Sequence, residues 1–178
     1  MANRNAIRDD ARTIIEPFVD EWTASTNGDR HGAFRNWAVE QVLWDQDLSH
    51  QEIEASITDA SGDMGIDAWY LDDSVSPNTL FLIQSKDTRA ERADLAKMSD
   101  GLNGLLDPTR GTPGNQEIRT RAAEFKQKIE GMGSETSINI EFHLVTSETL
   151  SSQLKAGETP YLETGSIELL GQTFRTTT

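Results

Sequence analysis

The sequence contains no cysteine, which excludes disulfide bonds and thiolate-bound zinc or iron–sulfur clusters. Its three histidines are scattered along the chain and do not have the spacing of a zinc site. Any metal that this chain binds must therefore be held by the oxygen atoms of carboxylates, amides or the backbone.

Long apolar runs are also missing. The amino terminus, MANRNAIRDDART, is charged and lacks the apolar stretch of a signal peptide. No later segment approaches the roughly 18 consecutive apolar residues that a membrane-spanning helix needs. We therefore expect a soluble, cytoplasmic protein without a membrane partner.

Basic residues are scarce: 16 Lys and Arg stand against 30 Asp and Glu, so the net charge is −14. This charge disfavours non-specific binding to nucleic acid through the overall field. The exception is segment 86–130, where nine basic and eight acidic residues leave the rest of the chain at −15. That segment fits a surface that follows phosphates, and it fits ordinary solvated helix faces equally well.

The 178 residues suit one domain with a hydrophobic core and are too few for two domains of ordinary size. We expect a helical amino-terminal part over about residues 1–48 and a core over about residues 49–178. Four tryptophans and one histidine are predicted to belong to the core rather than to a binding surface: Trp22, Trp37, Trp44, Trp69 and His143.

Hydrophobic periodicity predicts the order of the elements. Apolar residues at spacings of three and four predict helices over about residues 5–24, 31–44, 90–106 and 115–131, the first with a kink at Pro17. Short runs of β-branched and aromatic residues predict strands over about residues 54–58, 66–71, 79–86, 138–146 and 165–170, and a short helix over residues 147–155 precedes the last one. Residues 49–52 fit either a capped helical turn or the approach to a strand. This order predicts an α/β fold with a mixed sheet covered on both faces.

The stretch 62–86 places an acid, an amide and a lysine on two adjacent strands. If the hairpin is centred between Val75 and Ser76, Asp67 faces Gln84 across the ladder. Lys86 shares a face with Gln84 because side chains on a strand alternate with period two. The sequence does not fix this register, and a slip of one residue would separate the three side chains.

The polar end of the second strand is the feature that indicates a site. Residues 80–83 are all apolar and predict a strand buried on both faces, yet the strand ends with Gln84 and Lys86 on one face. Buried strands rarely place two such side chains in succession. The alternative is a cross-strand ion pair between Asp67 and Lys86, which contributes little to stability.

The pattern GxxGIDAxxxD, followed by a strand that ends in QSK, resembles the PD-(D/E)xK nuclease superfamily in its D…QxK variant. Within that superfamily the chain is most similar to the amino-terminal domain of abortive-infection phage-resistance (AIPR) proteins, and more loosely to Mrr-like restriction endonucleases. The likeness covers roughly residues 33–145, with the specific motif confined to residues 62–86. Two departures are evident: no Pro-Asp dipeptide precedes the acid, and Gln84 replaces the more usual Glu.

The resemblance implies a restriction-endonuclease-like α/β/α sandwich with a central mixed β-sheet. It also implies Asp67, Gln84 and Lys86 as catalytic residues, together with an acid on an upstream helix. Glu40 is the candidate for that acid because it lies near the edge of a predicted apolar stripe; a solvated flank is the alternative, and Glu52 and Glu54 are held in reserve.

The chemistry that the resemblance implies is Mg²⁺-dependent hydrolysis of phosphodiester bonds, with DNA as the expected substrate and phage defence or restriction as the expected setting. Asp67, the amide oxygen of Gln84 and the backbone carbonyl of Ser85 would hold Mg²⁺, or Mn²⁺ in its place, with several waters. Lys86 would orient the attacking water and stabilise negative charge. The expected nucleic-acid contacts follow the motif: Arg89, Arg92, Lys97, Arg119 and Arg121.

Two other interpretations stay open at this point. The net charge of −14 and the amide at position 84 also fit a nuclease-fold binding or regulatory module that does no chemistry and works through a protein partner. The chain would then still carry the fold without the activity. It could also be the amino-terminal part of a longer effector, whose missing region supplies partner recognition, and a homodimer remains compatible with either interpretation.

Overall fold

The computed structural model describes residues 4–58, 65–106, 116–132, 137–147, 166–169 and 172–177. The helices are α1 (Arg4–Glu21), α2 (Arg30–Val42), α3 (His50–Ser56), α4 (Arg92–Leu106) and α5 (Gln116–Gly131), with a short 3₁₀ helix at Trp44–Gln46. The strands are β1 (Ala68–Asp72), β2 (Asn78–Lys86), β3 (Ser137–Thr146), β4 (Ser166–Leu169) and β5 (Gln172–Thr177). Residues 148–155 of the predicted short helix lie outside the described residues.

The five strands form one mixed sheet in the order β1-β2-β3-β5-β4. β2, β3 and β5 run parallel, whereas β1 and β4 pair antiparallel at the two edges. In the hairpin, Ala68 pairs with Ile83 and Asp72 pairs with Thr79. The predicted mixed α/β class is therefore confirmed, and the hairpin has the register that the sequence suggested.

Helices cover both faces of the sheet, and each face has its own apolar core. Leu80 and Leu82 of β2 belong to a core that includes residues of α4 and α5, such as Met98 and Phe125. The alternate residues Phe81 and Ile83 belong to a second core. That second core draws on α1, α2 and α3 through Val19, Ala33, Phe34, Val39 and Ile53, and on Trp22 just after α1. β2 is thus buried on both faces, as the apolar run predicted.

The strand predicted over residues 54–58 is wrong, because most of this segment forms α3. Ser49 begins the helix with a capping box: the Glu52 amide donates to Ser49 Oγ at 3.3 Å, and Glu52 Oε2 accepts from the Ser49 amide at 2.8 Å. Of the predicted strand, only an isolated antiparallel bridge between Ile57 and Ala68 remains. Local capping therefore outweighed the weak alternation of the sequence.

The capping box makes the stability of α3 depend on pH. Hydrogen bonds from the Ser49 hydroxyl and amide lower the pKa of Glu52. A carboxyl with a lowered pKa stabilises the fold above its ordinary pKa, and this contribution is lost as pH falls through the folded-state value. We expect Glu52→Gln to be more destabilising at about pH 7 than at about pH 3 in urea denaturation. In a Ser49→Ala background that pH dependence should become smaller, because only the backbone amide of residue 49 still donates to Glu52; if it is unchanged, the Ser49 hydroxyl is not its source.

Some of the tryptophans predicted to be core residues are buried, and one is exposed. Trp22 is 2% exposed and Trp69 packs against the α4–α5 core, but Trp44 is 71% exposed, so the prediction that it is a core residue is wrong. His143 is partly buried, stacks on Phe81, and has Nε2 3.1 Å from Glu141 Oε2.

α1 continues through Pro17 as one helix. Among the described helices, none has the length and apolar character needed to cross a membrane.

Candidate metal centre at the end of the hairpin

Asp67 lies immediately before β1 and is fixed by both its backbone and its side chain. Its amide donates to the Ile83 carbonyl at 2.8 Å, and its carbonyl accepts from the Thr58 amide at 2.8 Å. Its carboxylate oxygen Oδ2 accepts from the Ser85 amide and the Ser85 hydroxyl, each at 2.7 Å. The carboxylate therefore lies level with Ser85, one residue further along β2 than the predicted partner Gln84.

Gln84 is 4% exposed, and its Oε1 is buried without a hydrogen-bond partner among the described residues. An unsatisfied buried acceptor costs roughly 1–3 kcal/mol, so such an atom requires an explanation. A cation or a water on Oε1 would provide one.

The turn before Asp67 packs closely against α4 and requires glycine at position 65. Gly65 has a φ of +74°, and a Cβ at this position would lie 2.7 Å from Lys97 Cβ and 3.5 Å from Gln84 Nε2. The contact with Lys97 is too short for a Cβ atom, so any larger residue would displace the turn from α4.

Lys86 is the last residue of β2, and its ammonium group is held at the beginning of α4. Nζ lies 3.3 Å from Asp94 Oδ1. The second carboxylate oxygen of Asp94 accepts from the Glu91 amide at 2.8 Å, so Asp94 caps α4 and binds Lys86 at once. The sequence analysis missed Asp94; its position in the first turn of a helix, where an acid can bind a free amide, was the available signal.

A cavity of about 300 Å³ opens where β2 ends. Its walls come from the first turns of α2, from Asp67, and from the end of β2: Asp29, His31, Gly32, Phe34, Arg35, Asp67, Ser85, Lys86, Asp87 and Thr88. The structure thus brings Asp67, Ser85 and Lys86 to one cavity. Gln84 is not among the residues that line it.

The first turn of α2 is tied to the end of β2 by ion pairs. Arg30 lies 2.8 Å from Glu16 and 3.4 Å from Asp87, and His31 Nδ1 lies 3.7 Å from Asp87. The Asp29 side chain accepts from the His31 amide at 3.1 Å and caps the helix. Asp29 and Asp87 are therefore the acids that share the cavity with Asp67, and sequence reasoning singled out neither.

The three acids considered for the fourth position lie elsewhere. Glu40 Oε2 accepts from the Trp22 indole at 3.0 Å, and its Oε1 lies 3.4 Å from His50 Nε2. Glu40 lines two cavities that do not include Asp67. Glu52 is engaged in the capping box, and Glu54 is exposed on α3. The structure does not bring any of them beside Asp67, because the turn of α2 that faces Asp67 carries His31 and Arg35 instead.

The structure separates the predicted oxygen donors. Gln84 follows Leu80 and Leu82 on the face of β2 that packs on α4 and α5, whereas the Ser85 hydroxyl that binds Asp67 lies on the opposite face. In the described part of the chain, no three His, Asp or Glu side chains cluster in a way that could hold a metal. Asp67 therefore has to act with neutral oxygens, for which the Gln84 amide and the Ser85 carbonyl were predicted. Mg²⁺ commonly binds through one or two carboxylates and retains its waters, so Asp67 with the Ser85 carbonyl is the part of the predicted set that the cavity can still offer.

The predicted nucleic-acid contacts lie in the loop after β2, on α4 and on α5. Arg89 is exposed after β2, Arg92 and Lys97 belong to α4, and Arg119 and Arg121 belong to α5. Just past the end of α5, Met132 Sδ accepts a hydrogen bond from Asn78 Nδ2 at the start of β2. The first turns of α5 therefore lie toward the opposite end of β2, where Lys86 is. The Arg121 side chain lies outside the described part.

Comparison with known proteins adds no relative. No family model matches the chain, no curated protein matches it, and no solved structure matches it.

Proposed function

We propose that this chain is a Mg²⁺-dependent nuclease that hydrolyses phosphodiester bonds, with DNA as the substrate and phage defence or restriction as its setting. The observation that carries the proposal is the cavity at the end of the hairpin, which Asp67, Ser85 and Lys86 all line. A carboxylate can hold the metal ion that activates water in phosphodiester hydrolysis, and a nearby amine can stabilise the developing charge.

The arrangement of the elements supports the finer fold assignment. Helices lie on both faces of the sheet, a hairpin carries the motif, and two helices lead to a strand parallel to the second hairpin strand. This layout is similar to that of the restriction-endonuclease-like α/β/α sandwich. The assignment therefore rests on topology and on the motif together.

In this mechanism each residue has a separate task. Bound Mg²⁺ would supply a water of lowered pKa and neutralise charge on the phosphoryl oxygens. Asp67 would bind the ion, and the two hydrogen bonds from Ser85 hold its carboxylate in place. Lys86 would donate to the attacking water or to a phosphoryl oxygen, while Asp94 positions its ammonium group.

Asp67→Asn tests the metal role without removing the acceptor that Ser85 needs. The amide oxygen of Asn can still accept both bonds from Ser85, but each becomes a neutral bond instead of a charge-assisted one, so we expect a loss of stability of about 1–2 kcal/mol. The lost charge should lower Mg²⁺-dependent plasmid cleavage by roughly a hundredfold or more. Asp73→Asn is the matched control, because Asp73 pairs with Lys128 at 2.9 Å near the turn of the hairpin. Equal cleavage by wild type and Asp67→Asn would contradict the proposal.

The second candidate is a nuclease-fold module that binds a partner and does no chemistry. Three observations favour it: position 84 carries an amide, Glu40 is engaged by Trp22 and His50, and the chain has a net charge of −14. The same plasmid assay separates the candidates. A wild-type protein that cleaves no nucleic acid in Mg²⁺ or Mn²⁺ would favour the binding module.

A further inference from the structure

Three large apolar side chains are exposed on one surface of the amino-terminal part. Ile14 is 68% exposed and Phe18 is 53% exposed, both on α1, and Trp44 at the 3₁₀ helix is 71% exposed. A single exposed apolar residue is ordinary, but several that adjoin one another mark a contact surface. We define this surface, with the cavity beneath it, as the α1–α2 groove.

The α1–α2 groove is a cavity of about 740 Å³. It is lined by Ile14, Ile15, Phe18, Glu21, Trp37, Glu40, Gln41, Trp44 and Asp45. A smaller cavity of about 250 Å³ shares Glu40 and Trp44 with it and adds Leu43, Asp47, Leu48 and Ile53. The two cavities therefore adjoin each other at Trp44.

Every charged residue that lines these two cavities is acidic: Glu21, Glu40, Asp45 and Asp47. An acidic rim repels anionic lipid headgroups and nucleic acid and attracts a cationic polypeptide. A second copy of this chain would bring another net charge of −14 to the contact, which opposes self-association through this surface. The charge therefore selects a basic partner.

We propose that the α1–α2 groove docks a basic amphipathic helix of a partner protein. Apolar residues on one face of that helix would cover Phe18, Ile14 and Trp44, and flanking Lys or Arg residues would meet Glu21 and Asp45. Helices commonly bind apolar grooves in this manner, through anchors spaced three and four residues apart. The inference does not depend on nuclease activity.

The probe is a labelled synthetic helix of Leu and Lys, with the leucines on one helical face. A second peptide has the same composition but shuffles the leucines off that face. In fluorescence anisotropy with the whole chain, the amphipathic peptide should bind saturably and more tightly than the shuffled one. Equal affinity for both peptides would mean simple charge attraction and would overturn the proposal, as would the absence of saturable binding.

Variants locate the binding site. Phe18→Ser should weaken binding of the amphipathic peptide by about tenfold or more, since an anchor that contacts the partner is lost. Val75→Ser is the matched control, because Val75 is also a large exposed apolar residue, 48% exposed, but lies in the hairpin turn. Both side chains are exposed, so both variants should melt like wild type. Equal weakening by both substitutions would overturn the proposal.

Two further measurements test the charge of the partner and the self-association of the chain. Glu21→Lys should weaken the amphipathic peptide and reduce the dependence of its affinity on salt. Light scattering should find the wild-type chain monomeric. A dimer that Phe18→Ser dissociates would show that a second copy covers the groove, which contradicts the proposed basic partner.

Discussion

Lys86→Met should reduce Mg²⁺-dependent DNA cleavage by roughly 10²–10⁴-fold, the usual contribution of a proton-transfer group. The substitution keeps the apolar stem of the side chain and removes only the ammonium group that lies 3.3 Å from Asp94. Asp94 keeps its bond from the Glu91 amide, so the fold should survive. Single-turnover cleavage of a labelled duplex measures the effect on the chemical step.

Lys128→Met provides the control for that experiment. Lys128 is also partly exposed and forms an ion pair with one aspartate, at 2.9 Å from Asp73. It lies beside the turn of the hairpin rather than at the end that carries Asp67. Cleavage should be unchanged in this variant. A Lys86→Met protein that melts like wild type and still cleaves at the wild-type rate would exclude Lys86 from the chemistry.

Leu82→Ala and Ile83→Ala should each destabilise the protein by about 2–5 kcal/mol, the usual cost of truncating a buried aliphatic side chain. Both residues are fully buried, and they point into different cores on opposite faces of the sheet. For a domain whose total stability is about 5–15 kcal/mol, either loss is large. Urea denaturation monitored by far-ultraviolet circular dichroism measures it.

The pair of substitutions also tests the layering of the fold. Val75→Ala, in the exposed turn of the same hairpin, should change stability by no more than about 0.5 kcal/mol. Suppose that Leu82→Ala strongly lowers the free energy of unfolding, but Ile83→Ala changes it as little as Val75→Ala does. The layer formed by α1, α2 and α3 would then not pack on the sheet. Equal large losses are the result that the two-core arrangement requires.

The hairpin was predictable because two independent features of the sequence agreed. Alternation indicated which side chains of the second strand share a face, and the run of turn-forming residues indicated where the hairpin reverses, although the sequence did not fix the register. The observed pairing of Ala68 with Ile83 follows from both. What the sequence could not predict is the bend at Asp67, which places its carboxylate on Ser85 instead of facing Gln84.

The sequence predicted the contacts and elements of the upstream helices less well than the hairpin. Glu40 was assigned from the edge of an apolar stripe, but such a stripe does not reveal which neighbour contacts its edge. In the fold that neighbour is the Trp22 indole, which binds the carboxylate. The Ser49–Glu52 capping box predicts a helix at α3. The weak alternation of residues 54–58, which predicts a strand, was given more weight than this capping box. Contacts between distant elements, such as Lys86 with Asp94, have no local signature of comparable strength.

The net charge of −14 opposes binding of the proposed polyanionic substrate. All of the excess acid lies outside segment 86–130, and acidic side chains line the α1–α2 groove. The exposed Arg89 and Lys97 lie near the end of β2. Charge neutralisation by Mg²⁺ at the cavity would add to these contacts. We therefore expect DNA affinity to depend strongly on divalent ions and on salt.

The most direct measurement is the anomalous diffraction of a crystal soaked in Mn²⁺. A metal ion bound at this centre should give a peak about 2.0–2.2 Å from a carboxylate oxygen of Asp67, within the cavity that Lys86 also lines. The same soak of Asp67→Asn crystals should show no peak there. A fully occupied Mn²⁺ elsewhere on the chain, with none at Asp67, would contradict the assignment of this cavity as the metal centre.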